Sequence, residues 1–269
     1  LKAQCAGIPY IIIYLFEPSR IDYPDTSQRH LQFVYHSIVS LDKVLSEFNR
    51  RVELFFGEAV EVFNFLIKEL DIISVFSYQE SGTQVSWERD KKIKQFCKSN
   101  QIIWEESQRD GIVRGIKNRK DWNKKWHLKM HTPIIKNKYT ISKETHLEHP
   151  FQMPSILESQ LKDYPSRYQP AGENNAWRYL NSFTNQRGFN YQRHISKPME
   201  SRMSCSRLSP YLAWGNMSVK QAFQFIGTHP NGTRNNKAFS AMLTRLHWHC
   251  HFIQKFEMEC RYETECINS

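Results

Sequence analysis

Tyr10-Ile11-Ile12-Ile13-Tyr14-Leu15-Phe16 is the stretch from which the fold can be read. It lies in a near-continuous apolar run from Ile8 to Phe16, the pattern of a strand covered on both faces. Pro18, Pro24 and Asp25 break it. A helix then fits Thr26 to Phe48, where Leu31, Val34, Tyr35, Ile38, Leu41, Leu45 and Phe48 recur at the spacing of one apolar face. Val52 to Gly57 reads as the next strand, and Ala59, Phe63, Leu66, Ile67 and Leu70 mark a second amphipathic helix. Ile72 to Tyr78, then Trp87 to Lys98, then Ile102-Ile103-Trp104 repeat the alternation. Strands alternating with helices imply a parallel sheet wound by right-handed crossovers, so the class expected is α/β, doubly wound. Ligands of such sheets sit beyond the strand C-termini. There is no GxGxxG, so the usual dinucleotide fingerprint is missing.

Outward from this region the chain changes character. From Arg109 to Lys143 there are 11 Lys or Arg against 2 Asp or Glu, a net of +9 within a chain of net +10. Pro133, Pro150, Pro154, Pro165 and Pro170 punctuate the later part, and residues 106 to 170 read as a long connection. Its charge suits a phosphate backbone, and a solvated basic linker would carry the same charge. Residues 171 to 269 are helix-like. Gly172-Glu173 opens a segment in which Ala176, Leu180 and Phe183 share a face. Ser218 can cap a helix through Phe225, and Asn235 or Asn236 can start a longer one from Ala238 to about Cys260.

The 269 residues suit one large domain or two ordinary ones. No stretch reaches the roughly 18 apolar residues of a membrane span. The 10 Gly, 11 Pro and lack of a short repeat exclude collagenous and coiled-coil readings. Six cysteines without a CxxC pair read as intracellular usage, so a cytoplasmic, reducing compartment is expected. The start at Leu1 without Met, and the end at Cys266-Ile267-Asn268-Ser269, read as those of a fragment.

The segment best suited to chemistry is Cys205-Ser206-Arg207-Leu208-Ser209-Pro210-Tyr211-Leu212-Ala213-Trp214-Gly215. Pro210 preceded by Ser209 is a helix-start signature. Free N–H groups there, two hydroxyls and the Arg207 charge would make a phosphate cradle; an ordinary capped helix has the same signature. His247-Trp248-His249-Cys250-His251 places two histidines at i,i+4, but zinc needs three or four convergent ligands and no second cluster is evident. No metal is expected.

The Cys205–Gly215 segment resembles the flavin-phosphate motif of the DNA photolyase/cryptochrome family. Arg187-Gly188-Phe189-Asn190-Tyr191-Gln192-Arg193 and Pro198 resemble the family's tyrosine segment. In the N-terminal half, Ile13 to Ser19, Ser77-Tyr78-Gln79-Glu80, Glu88-Arg89-Asp90 and Lys129-Met130-His131-Thr132-Pro133 resemble further family segments in order. The resemblance implies an α/β domain at 1–133, a linker at 134–170, and at 171–269 the first part of an all-helical FAD-binding domain. It also implies a blue-light enzyme that repairs pyrimidine dimers by electron transfer from reduced FAD, or a cryptochrome photoreceptor without repair. An inactive fragment is the third possibility.

By position, Tyr191, Ser206, Arg207, Leu208 and Ser209 would contact FAD, with Cys205 where the family has Thr. The helix with Arg245, Trp248 and His249 resembles the one that lines the family's flavin and lesion pocket, with Trp248 matching its aromatic, and Arg193 joins that DNA-facing set. Arg245 stands where photolyases carry a Glu that accepts from the damaged base, and His249 where they carry Arg. The resemblance further implies ultraviolet-damaged DNA as partner and a monomeric protein. The antenna chromophore is of unknown identity, because Val85, Ser86 and Trp87 precede Glu88-Arg89-Asp90 where folate binders place an acid. The family's first strand, and the helices that close over the flavin ring, have no counterpart in these residues. No catalytic residue is assigned.

Overall fold

The computed structural model describes residues 2–142 and 147–266. Lys143, the end of the basic stretch, part of the 134–170 linker and the closing Ile267-Asn268-Ser269 lie outside the described residues, as does Leu1.

In chain order the elements are α1 (Lys2–Cys5), β1 (Ile12–Phe16), α2 (Pro18–Ile21), α3 (Gln28–Leu45), β2 (Val52–Phe56), α4 (Ala59–Glu69), β3 (Ser74–Tyr78), α5 (Gln84–Ser99), β4 (Ile103–Ser107), α6 (Trp122–Met130) and α7 (Ser155–Lys162). Then come α8 (Glu173–Ser182), a π-turn at Phe183–Arg187, α9 (Tyr191–His194), α10 (Pro198–Ser204), α11 (Ser209–Ala213), α12 (Val219–Thr228) and α13 (Asn236–Met258). The chain forms two compact units. The first comprises residues 1–107 and 136–170, the second 108–135 and 171–269.

The first unit is a parallel α/β assembly. β1 pairs with β2 from Ile12↔Val52 to Phe16↔Phe56. β3 pairs with β4 from Ser74↔Ile103 to Tyr78↔Ser107. Successive strand residues point to opposite faces. Ile12, Tyr14 and Phe16 join Val34, Tyr35, Ile38 and Leu161 on one face, under α3 and α7. Ile13 and Leu15 join Phe55, Val62, Leu66, Ile93 and Cys97 on the other, under α4 and α5. Helices therefore cover both faces, as the unbroken apolar run implied.

Two details depart from the sequence reading. The first strand begins at Ile12, opposite Val52 where β2 begins, and Ile8 and Ile11 are left exposed. The sheet is also divided. Val75 and Trp104 share a core cluster with Ile13 and Leu15, yet among the described residues the strands form two separate pairs.

The C-terminal ends of the strands are tied by charge. Arg89 on α5 donates to Glu17 at 2.9 Å, to Glu80 at 2.7 Å and to Asp90 at 2.8 Å. Arg20 reaches the same Glu80 at 3.2 Å. Burial holds the Glu17 carboxyl above its usual range against the pull of Arg89. Glu80 is held below it by Arg89 and Arg20, which together outweigh its burial. The Tyr14 hydroxyl, buried among these charges, is pushed up to about 12. Three of the separated segments that carried the family resemblance thus meet at one guanidinium.

The stretch read as a connection is structured. Within the second unit, α6 buries Trp122, Trp126 and Met130 almost completely. The loop before it is clamped by Gln254, whose amide donates to Val113 O at 3.0 Å and accepts from Val113 N at 2.8 Å. Asp110 accepts from Val219 N at 2.9 Å, at the start of α12. Gln224 donates to Met130 O and Thr132 O at 2.7 and 2.8 Å. Within the first unit, Gln32 on α3 donates to Gln160 O and Asp163 O, fixing α7. The basic charge of residues 109–135 therefore sits on a folded surface whose apolar side is core.

Candidate functional site

The phosphate-type segment lies in the second unit. α10 ends at Ser204, and Cys205 turns the chain into extended backbone (ψ 154°). Arg207 adopts a left-handed conformation, φ 59°, which is uncommon outside Gly, Asn and Asp. Leu208 then folds into the core at 1% exposure. The helix after it differs from the expected one. Ser209 is its first residue, and Leu208 occupies the cap position with no side-chain bond. An apolar side chain cannot accept a backbone N–H. The Ser206 hydroxyl instead accepts from Leu208 N at 3.4 Å. At the far end Arg109 donates to Leu212 O and Ala213 O at 3.1 and 2.5 Å, satisfying carbonyls that a helix end leaves unpaired. Ser218 forms the expected cap as a full capping box with Gln221.

Tyr191 is buried, its ring edge-on to Phe183 at 5.4 Å. Burial raises its hydroxyl pKa against a hydrogen bond from Arg245 on α13. Arg245 also lies over the Trp248 ring, 4.7 Å from its centroid. The structure therefore brings together Tyr191 and Arg245, which the sequence placed in separate groups. Trp248 is not a core residue: it is 45% exposed and packs against Phe252 at 6.3 Å. His249 faces Asp110 and Arg109, and burial lowers its pKa. Arg193 and Ser209 are exposed, while Cys205 is half-buried with its thiol toward Arg202 O.

Sequence reasoning placed Arg187 in the tyrosine segment and gave it no role. Its Nε donates to Ser182 Oγ at 3.1 Å, and Nη2 donates to Tyr179 O at 2.8 Å and Ser206 O at 3.3 Å. Its Nη1 is buried and has no hydrogen-bond partner. Burial, and then the neighbouring Arg207 charge, depress its pKa. The residue that permits this is Gly188. A Cβ there would meet the Phe183 ring at 2.5 Å and the Phe183 carbonyl at 2.7 Å.

His127 and His131 on α6 and His247 and His251 on α13 line a second locus. His127 and His247 stack at 6.1 Å, and His247 Nε2 lies 3.1 Å from Asn123 Oδ1. Burial lowers the His247 and His251 pKa values. Among the described residues no group of three or more His, Cys, Asp or Glu is placed to hold a metal ion. Among the described residues Cys97 and Cys250 are buried thiols, and no helix is long and apolar enough to cross a membrane.

This arrangement, a parallel α/β unit with a helical unit, is the fold of photolyase and cryptochrome structures. The bacterial class III photolyase from Agrobacterium tumefaciens superposes with a TM-score of 0.75 at 17% identity, over 98% of this chain and 56% of that one. The Synechocystis sp. PCC6803 cryptochrome gives 0.70 at 14%, over 96% and 57%. The archaeal photolyase from Sulfolobus tokodaii, solved with two FAD molecules, gives 0.66 at 19%, over 95% and 55%. The chain thus spans little more than half the length of each. No curated protein matches it. The DNA photolyase family model matches residues 1–154, more than half of the chain, and the chain belongs to that family.

Proposed function

We propose that the chain is part of a blue-light flavoprotein that holds FAD in its helical unit and repairs pyrimidine dimers in DNA as a monomer. The observation that carries this is that Tyr191 lies beside Arg245 and Cys205 in the second unit, and that Arg187 bonds the adjoining Ser206 carbonyl. The residues present suit the cofactor: a buried guanidinium nitrogen without a partner, at Arg187, is what a cofactor phosphate would satisfy. When bound, reduced FAD supplies the electron that splits the dimer.

This chain's own residues bind and orient. Arg245 fixes the Tyr191 hydroxyl and keeps its positive charge over the Trp248 face. Trp248, exposed beside Phe252, offers a stacking surface for a base flipped from the duplex. The basic surface of residues 109–135 suits phosphate contacts that position DNA without reading sequence.

A second reading, a cryptochrome photoreceptor, is favoured by one residue. Arg245 donates hydrogen bonds and cannot accept one from a damaged base. Repair of a dimer-containing oligonucleotide under blue light, by this chain and by its full-length parent, separates the two. Restored bases support repair, and their absence with flavin bound supports signalling. The antenna chromophore stays unassigned.

A further inference from the structure

We propose that Arg187 is an anion-binding residue, delivered by the π-turn Phe183–Arg187 to hold the diphosphate of a bound dinucleotide cofactor through its Nη1. The inference rests on the proposed FAD binding and assigns to that site a residue the motif did not identify.

The geometry carries the argument. α8 passes directly into the π-turn, whose wider turn leaves Arg187 half-buried, with its Nη1 out of solvent. Thr184, fully buried, donates its hydroxyl to Leu180 O at 3.1 Å, and Gly188 N donates to Phe183 O at 2.9 Å, closing the wide turn. The guanidinium then spends two nitrogens locally, on Ser182, Tyr179 and Ser206. Those bonds orient it but bring no negative charge. The charged or titratable groups acting on it are Cys205, Arg207 and Tyr179, and none is a carboxylate. Arginine does not lose its proton in proteins. A half-buried cation beside a second cation, with a buried nitrogen left unpaired, is a group that an anion would complete.

Phosphate is the class that fits. A guanidinium matches its oxygens in a fork, and a diphosphate carries enough charge to face Arg187 and Arg207 together. The ordinary alternative is a latch, in which Arg187 only ties α8 to the Ser206 segment. A latch uses Nε and Nη2 and leaves the protein indifferent to anions.

The test uses sodium pyrophosphate at constant ionic strength and the whole chain. Thermal unfolding should shift upward with pyrophosphate in the wild type and not in R187M. R187K, which keeps the charge without the fork, should fall between. FAD and riboflavin are then titrated in parallel. R187M should weaken FAD by roughly ten- to hundredfold, the worth of a charged hydrogen bond, and leave riboflavin, which has no diphosphate, unchanged. If R187M does not fold, wild-type Cys205 supplies the readout: pyrophosphate should slow its alkylation by iodoacetamide and leave Cys5 unaffected.

An equal pyrophosphate shift in wild type and R187M would overturn the proposal. So would no shift together with unprotected Cys205. The two readings fail separately. FAD binding equally well to wild type and R187M removes the Arg187 role and keeps the flavoprotein. Pyrophosphate binding that needs Arg187, with FAD no tighter than pyrophosphate, keeps the anion site and removes the flavoprotein.

Discussion

Replacing Arg89 by methionine should loosen the first unit selectively. Arg89 lies 25% exposed among Glu17, Glu80 and Asp90, and its most buried partner, Glu17, is only 4% exposed. Methionine fills much of the side-chain volume and removes the charge. Glu17 then loses its guanidinium and keeps one bond, from Ala59 N at 3.3 Å. Breaking a fully buried pair costs about 3–5 kcal/mol. Arg89 keeps some access to water, so a value near the lower end, about 3 kcal/mol, is expected. That corresponds to roughly a hundredfold increase in the opening equilibrium. Native-state hydrogen exchange read by mass spectrometry, on peptides spanning β1 and β3, measures it. If the cost is the stranded carboxylate, adding E17Q to R89M should recover most of it. The pH dependence has a definite sign. Glu80 has a folded pKa below its ordinary value, so its contribution is present above that value and lost as pH falls through the folded one. R89M should flatten this acid limb. An exchange increase below about threefold, or no recovery with E17Q, would refute the reasoning.

Three further outcomes are expected in the second unit and at the thiols. Trp126→Ala removes a side chain 1% exposed and should cost about 3–5 kcal/mol, read as a fall in thermal midpoint. Ser218→Ala breaks the capping box of α12 and should cost about 1 kcal/mol in the same assay, whereas Ser209→Ala, at a position with no cap bond, should cost little. In the folded protein Cys5, Cys260 and Cys266 should react with a thiol reagent well before Cys97 and Cys250. Burial pushes the Cys250 thiol up to about 11, so raising the pH from neutral should not rescue its reactivity until denaturant is added.

The order of strands and helices in the first unit was legible because each element carries its own periodicity. Ser27 accepting from His30 N shows why α3 starts at Gln28, close to the expected Thr26. The division of the sheet was not legible, since an apolar run states that a strand is covered and not which strand lies beside it. α6 was hidden by charge. Trp122, Trp126 and Met130 stand at i, i+4 and i+8, a helical stripe, but the lysines between them dominate the composition. In the site, motif resemblance located Cys205 to Ser209 and Tyr191. It could not show that Arg245 bonds Tyr191, which depends on how α9 and α13 pack. Arg187 was hidden for a backbone reason: a regular helix would turn it elsewhere, and nothing in Phe183-Thr184-Asn185-Gln186-Arg187 announces a π-turn except the glycine after it.

The most direct measurement is a visible absorption spectrum of the purified chain after incubation with FAD and desalting. Oxidised-flavin bands in the near-ultraviolet and blue, retained in stoichiometric amount, are the expected result. A colourless protein, with all the flavin in the small-molecule fraction, would contradict the claim that these residues form a cofactor site.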